Sequence, residues 1–357
     1  MAENSSSNSS GVCSVFDTHP YVIVAAVSSG SAIVSALCCI FVTGLVFLLK
    51  KHYFFIQRLV LYHCLAALLR SFSTILRLHR LGYNSEGEAL DVVCTISGFT
   101  GQLTLWILIM DYSVITFTLL MTVVFHKNVA RLEGLFVVLI FIFPLTFNWI
   151  PFINNTYGRA GLWCWIRTVN YDDCSKHRFG VILRDVLWNV PFLIVLLVMI
   201  PMFLITIIYV ARQRCCKRGK DTHNPEMERM RKHLNEQVFP LLFFPFGVIF
   251  LNLFPTINVI YGYINANNPS YAIWMLHAIC SPLQGGYIAL VYVLDRDTLR
   301  QLTYSKFKAT LVGRDTVCRY PMEAGGISDS AFIGDHPSAT HYRQYRDASF
   351  FKSQRTN

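Results

Sequence analysis

Long uncharged apolar runs alternate with short segments that hold most of the charge. A helix needs about 20 residues to cross the roughly 30 Å hydrocarbon core of a bilayer. Runs at or near that length occupy residues 21–49, 55–78, 92–125, 135–152, 181–210, 238–263 and 271–294. The pattern predicts an all-α membrane protein, a seven-transmembrane helix bundle over residues 21–294. Residues 1–20 form an N-terminal arm, 295–308 a short amphipathic eighth helix and 309–357 a disordered tail. In the eighth helix Leu299, Leu302 and Phe307 fall to one side among Arg296, Arg300, Lys306 and Lys308, which suits the inner leaflet.

Composition changes the picture only by excluding a soluble chain. Hydrophobic residues make up 54% and charged residues 15% of the 357, and the mean hydropathy is +0.43. An ordinary globular domain carries about a quarter charged residues. The net charge of +10 raises nucleic acid or membrane surface as partners. Its placement decides for the membrane and against nucleic acid. Lys50, Lys51 and Arg58, then Lys127 and Arg131, then Arg212, Arg214, Lys217, Arg218 and Lys220 mark alternate loops as cytoplasmic.

This orientation puts the N terminus outside and the C terminus inside. The Asn-x-Ser/Thr sites at Asn4, Asn8 and Asn154 then all fall on the glycosylated side. The first twenty residues are polar and Ser-rich, so no cleavable signal peptide is expected and the first span acts as the insertion signal. The arm is too short for a folded ligand-binding domain, which needs about 50 residues.

The same topology sorts the eleven cysteines. Cys13, Cys94, Cys164 and Cys174 lie outside, where disulfides persist. Cys94 with Cys164 is the expected pair, holding the second outer loop over the mouth of the bundle; Cys13 with Cys174 remains open. Cys215, Cys216 and Cys318 sit in basic inner sequence and are either palmitoylated or free thiols.

Ionisable groups at membrane depth are costly and face the bundle interior. Taking about 1.5 Å per residue, Asp111 lies about 25 Å below Cys94, His63 about 21 Å below Arg77, and Gln284 about 20 Å below Tyr271. His63, Asp111 and Gln284 are therefore expected at one depth, either as a two-state switch network or as a static packing network. Arg70, Gln102, Arg184, Asp185 and His277 fall within about 12 Å of the outer edge. With Trp165 they are the candidate ligand-binding set. Arg70, Arg77, Arg80, Arg159 and Arg167 suit an anionic ligand, although arginines at helix ends also snorkel to the interface. Tryptophans placed like Trp106, Trp163 and Trp165 are most often belt or core aromatics.

On the inner side, Asn224, Pro225 and Glu226 read as a helix cap and first turn leading into the sixth span. Met227 and Met230 line one side, with Arg231 and Lys232 beside them. That arrangement suits a cytoplasmic partner.

Seven spans, an outward N terminus, the third-helix cysteine and the short helix after the seventh span resemble a G-protein-coupled receptor. The rhodopsin-like branch fits poorly: the third span ends LLMTVVFHKN without Asp-Arg-Tyr, and the seventh lacks Asn-Pro-x-x-Tyr. WCWI at 163–166, FPLLFF at 239–244 and PLQGGYIALVY at 282–292 resemble the cyclic-AMP-receptor-like family, a relative of the secretin and adhesion receptors. The pair Gln284-Gly285 is similar to a Gln-Gly in the seventh helix of both groups. The secretin family's large ectodomain is absent, and Asp111 lacks that family's surrounding string.

The resemblance implies signalling: an extracellular small-molecule or peptide ligand stabilises an outward swing of the sixth helix, and a heterotrimeric G protein binds at Met227, Met230, Arg231 and Lys232. Receptor kinases and arrestin would act on Ser328, Ser330, Ser338, Thr340, Ser349 and Ser353. A plasma-membrane location follows from the same resemblance. The rival reading is a seven-helix small-solute transporter, which usually shows internal repeats with interrupted helices; no repeat links residues 21–125 to the later spans. A retinal protein needs a Schiff-base lysine, and residues 271–294 contain none. His63, His79 and His277 are isolated along the chain, so no metal site is expected. With no nucleotide loop or catalytic string, neither an enzyme nor a cofactor is expected.

Overall fold

The structure is a computed structural model that describes residues 18–53, 55–76, 88–127, 129–160, 163–169, 175, 177–216, 242–265 and 270–294. The N-terminal arm with Asn4, Asn8 and Cys13, the inner segment with Met227, Met230, Arg231 and Lys232, Cys174, the eighth helix and the tail with Cys318 lie outside the described residues.

Helices α1 (Thr18–Leu48), α2 (Phe55–Leu76) and α3 (Glu88–Val123) come first. Two short helices follow, α4 (Glu133–Val137) and α5 (Phe143–Asn148), then a hairpin of β1 (Tyr157–Ala160) and β2 (Trp163–Ile166). The remainder is helical: α6 (Arg178–Arg184), α7 (Val190–Cys216), α8 (Phe243–Ile264), α9 (Tyr271–Cys280) and α10 (Gln284–Leu294). Among the described residues six stretches are long and apolar enough to cross a membrane: Val22–Leu48, Phe55–Leu76, Asp91–Val123, Ala130–Phe152, Arg178–Arg212 and Phe243–Gly262. The chain is a helical membrane bundle.

The third stretch is its axis. In its most apolar window 72% of residues are buried, against 17% for Arg178–Arg212, so α3 is wrapped by protein while α7 faces outward. α3 packs on α2, α7, α8 and both strands, and α1 packs on α2, α9 and α10. Leu37 and Phe41 on α1 and Leu197 on α7 are largely exposed. Lipid tails solvate such side chains at no cost, whereas water would not.

Three apolar runs depart from the uniform helices expected of them, each at a proline. Phe143 N–H bonds to Val138 O, five residues back, and Pro144 follows. Val190 N–H bonds to Asp185 O, again five back, and Pro191 follows. A proline ring collides with the carbonyl four residues earlier, and a single wide π turn relieves the collision while keeping the helix going.

The third departure is a true break. The run 271–294 is α9 and α10 joined by the turn Ser281–Leu283, because Pro282 has no N–H to donate. Neighbouring helices take up the freed groups: Gly285 N–H donates to Ser35 Oγ of α1 (2.9 Å), and Ser281 O accepts from Arg70 Nε of α2 (3.4 Å). Gly285 also allows the close approach, since a Cβ there would overlap Cys39 Sγ and Ser35 O.

Candidate functional site

Two polar groupings sit in the bundle, one deep and one under the hairpin. In the deep one His63 of α2 and Asp111 of α3 meet, with His63 Nδ1 2.9 Å from Asp111 Oδ2 and both side chains fully buried. The Tyr112 ring stands edge-on to His63, centroids 4.3 Å apart. Core aliphatics Leu59, Leu108 and Ile115 belong to the same interior, so the pair lies in a medium that penalises an unpaired charge severely. Gln284 at the start of α10 is also buried, 1% exposed. The structure joins His63 to Asp111; Gln284 Oε1 has no partner among the described residues.

His63 Nε2, Asp111 Oδ1 and Tyr112 Oη likewise have no partner among the described residues. A buried polar group without a partner costs about 1–3 kcal/mol. Such a cluster gains from any rearrangement or water that satisfies these atoms. Tyr112 is a member that the sequence did not single out; its only signal was adjacency to Asp111.

The outer grouping begins with the hairpin. Its strands pair Tyr157 with Ile166, Gly158 with Trp165, Arg159 with Cys164 and Ala160 with Trp163. Cys94 and Cys164 are disulfide-bonded, Cα atoms 5.1 Å apart, which fastens β2 to α3. One turn on, a Cβ on Gly98 would lie 3.3 Å from the Trp165 backbone, so α3 and β2 touch closely. Tyr157 is fully buried, donates to Asn148 O at 2.8 Å, and burial pushes its phenol well above the ordinary range.

The six candidate ligand residues divide among four places. Gln102 Oε1 accepts from Trp165 Nε1, linking α3 to β2. Arg70, buried, donates to Gly101 O (3.2 Å) and to Ser281 Oγ (2.6 Å), linking α2 to α3 and to the break. His277 of α9 meets Asn258 of α8 and the face of Trp163. Arg184 ends α6, and Asp185 Oδ1 accepts from Asn189 Nδ2 (2.6 Å) within the π turn.

Arg70, Gln102, Trp165 and His277 are thus crosslinks between elements. Sequence reasoning named them by depth and residue type, took Trp163 for a belt or core aromatic, and missed the partners Ser281 and Asn258, which are uncharged and carry little signal in a chain. Asn154 lies in the exposed turn before β1. Cys215 and Cys216 end α7. At the opposite end of the bundle Arg58 of α2 binds Glu133 of α4 through two hydrogen bonds, Nε to Oε1 (2.5 Å) and Nη2 to Oε2.

No family model matches this sequence and no curated protein does. Among solved structures, squid rhodopsin matches with a TM-score of 0.61 over 85% of this chain and 89% of that one. The chain has a rhodopsin-like fold. Identity over the match is 11%, so the likeness is one of helix arrangement and carries no residue-level function.

Proposed function

We propose that the chain is a seven-span G-protein-coupled receptor, N terminus outside, of the cyclic-AMP-receptor-like kind. It carries an extracellular ligand's signal to a heterotrimeric G protein by helix rearrangement. The observation that carries this reading is the fully buried His63–Asp111 pair joining α2 to α3 within a rhodopsin-like bundle. Partly satisfied buried polar groups are poor static packing but serve a switch, because two arrangements can compete for the same atoms. A ligand that binds one arrangement more tightly shifts the population toward it.

In this reading α9 followed by α10 is the seventh span, and Arg70, Gln102, Trp165, Arg184, Asp185 and His277 surround the ligand. Met227, Met230, Arg231 and Lys232 contact the G protein, with arrestin and receptor kinases acting at the tail. Palmitoyl groups on Cys215, Cys216 and Cys318 anchor the inner loop and tail to the plasma membrane. The ligand is a small molecule or peptide.

Dissociation of each G-protein class, recorded in cells at matched surface density, tests the proposal. Basal coupling in one class, lost on alanine replacement of residues 227–232, is the expected result. Asp111→Asn should change basal coupling at least twofold at equal surface expression. Unchanged coupling would leave His63–Asp111 as packing. The second reading, a small-solute transporter, draws on the interrupted seventh run at Ser281–Leu283, since broken helices mark transporter binding sites. Silence in every G-protein class together with solute uptake would decide for it.

A further inference from the structure

One contact set under the hairpin is built around a titratable ring. His277 projects from α9, and α9 packs on α1 and α8. The Trp163 ring of β2 lies against the His277 ring, centroids 4.9 Å apart and planes 31° apart, and is stacked on Trp274 one turn earlier on α9. On the α8 side Asn258 Nδ2 is 3.2 Å from His277 Nδ1. Asn258 Oδ1 is buried with no partner among the described residues.

This arrangement can serve both charge states of the ring. A neutral imidazole accepts from Asn258 Nδ2. A protonated one must donate from Nδ1, and a half-turn of the Asn258 amide presents the oxygen that otherwise lacks a partner. Protonation then costs no hydrogen bond at Nδ1 and places a cation over an indole face, the preferred partner for such a charge. Imidazole is the side chain whose ordinary titration falls between pH 5 and 8.

α1, α8, α9 and β2 carry no acidic residue. The other titratable groups on the packed elements are His19, Tyr21, Cys38 and Cys39 on α1, Tyr261 and Tyr263 late in α8, and Tyr271 and Cys280 on α9. Among the described residues, Arg159 of β1 is paired in register with Cys164, and Arg70 of α2 reaches Ser281, about one turn beyond His277.

We propose that His277 is a proton-binding site that latches the β1–β2 hairpin to α8 and α9. The sign follows from linkage: the Trp163 indole face meets the imidazolium only when the hairpin is seated, whereas Asn258 of α8 is at hand in either state, so the seated state binds the proton more tightly. Acidifying the compartment that the hairpin faces therefore favours the seated state. The proton acts as a ligand in its own right, whatever else the bundle binds.

The test uses the full chain in lipid nanodiscs with nothing added but acid. Tryptophan emission is titrated from about pH 8 to about pH 5, because an imidazolium in ring contact quenches indole fluorescence. A one-proton quench is expected in the native chain, absent in His277→Gln and moved about one unit or more to higher pH in Asn258→Asp, where a carboxylate faces the ring. Hydrogen exchange of the hairpin amides, corrected for intrinsic rates, should slow severalfold on acidification and become indifferent to pH in His277→Gln. A quench with the same midpoint in both variants, or hairpin exchange blind to pH in the native chain, would overturn the proposal. Should His277→Gln not fold, an unshifted midpoint in Asn258→Asp overturns it alone. Neither readout involves a G protein, so the latch and the receptor reading fail separately.

Discussion

Gly285 shows how one missing atom positions two helices. Its Cα lies against α1, and a methyl group there would overlap Cys39 Sγ and Ser35 O while threatening the bond from its own N–H to Ser35 Oγ. Overpacking of this kind costs about 1–3 kcal/mol. Gly285→Ala should therefore lower the thermal midpoint of the detergent-purified protein by several degrees. Gly30→Ala, where a Cβ meets nothing within 4 Å, should leave it unchanged or raised. The Arg58–Glu133 pair is another single-residue matter. The two side chains are 18% and 25% exposed, so water screens them in part, and a double-mutant cycle with alanine should return about 1 kcal/mol.

Among the elements, the hairpin depends most on one covalent bond. Among the described residues β1 and β2 have only each other for strand pairing, and an isolated two-stranded ribbon is marginal at best. Cys94–Cys164 spans 70 residues, and removing a crosslink over such a loop costs about 4 kcal/mol in the chain-entropy account. Cys164→Ser should sharply reduce surface delivery, read by labelling an extracellular tag. Delivery at the native level would mean that the Gly98 approach and the Tyr157 anchor suffice to hold the hairpin. The break between α9 and α10 is the opposite case, a gap in one helix closed by hydrogen bonds from α1 and α2 rather than by its own chain.

For the whole molecule the governing fact is that large apolar side chains cover the outside while the ionisable groups at membrane depth are kept within an apolar core. Buried His63, Asp111, Arg70 and Gln102 lie inside while Leu37, Phe41 and Leu197 face outward, the arrangement that a lipid solvent favours. Which end faces out is a separate matter, set by the charged loops. Asn154 sits in an exposed turn on the hairpin side. With that side lumenal, Asn154→Gln should abolish one glycosidase-sensitive step in gel mobility. An unchanged ladder would indicate that the site is unused or cytoplasmic, and a cysteine-accessibility map of the same turn would separate the two.

Hydrophobic run length by itself determined the class of the protein. Crossing a bilayer demands consecutive apolar residues, and that demand is local, so it is written in the order of the chain. Depth was legible for the same reason: a fixed rise per residue placed His63 and Asp111 level with each other, and the structure shows them in contact. Prolines 144, 191 and 282 were visible too, yet whether each widens a turn or breaks a helix depends on what neighbours can supply. Pro282 gives a break because Ser35 and Arg70 stand ready from other helices. The partners of Arg70, Gln102 and His277 were likewise decided only in three dimensions. Ser281 and Trp165 come from elements distant in sequence and Asn258 from the helix before α9, and their pairing depends on helix rotation and, for Trp165, on the seating of the hairpin, which no local pattern encodes.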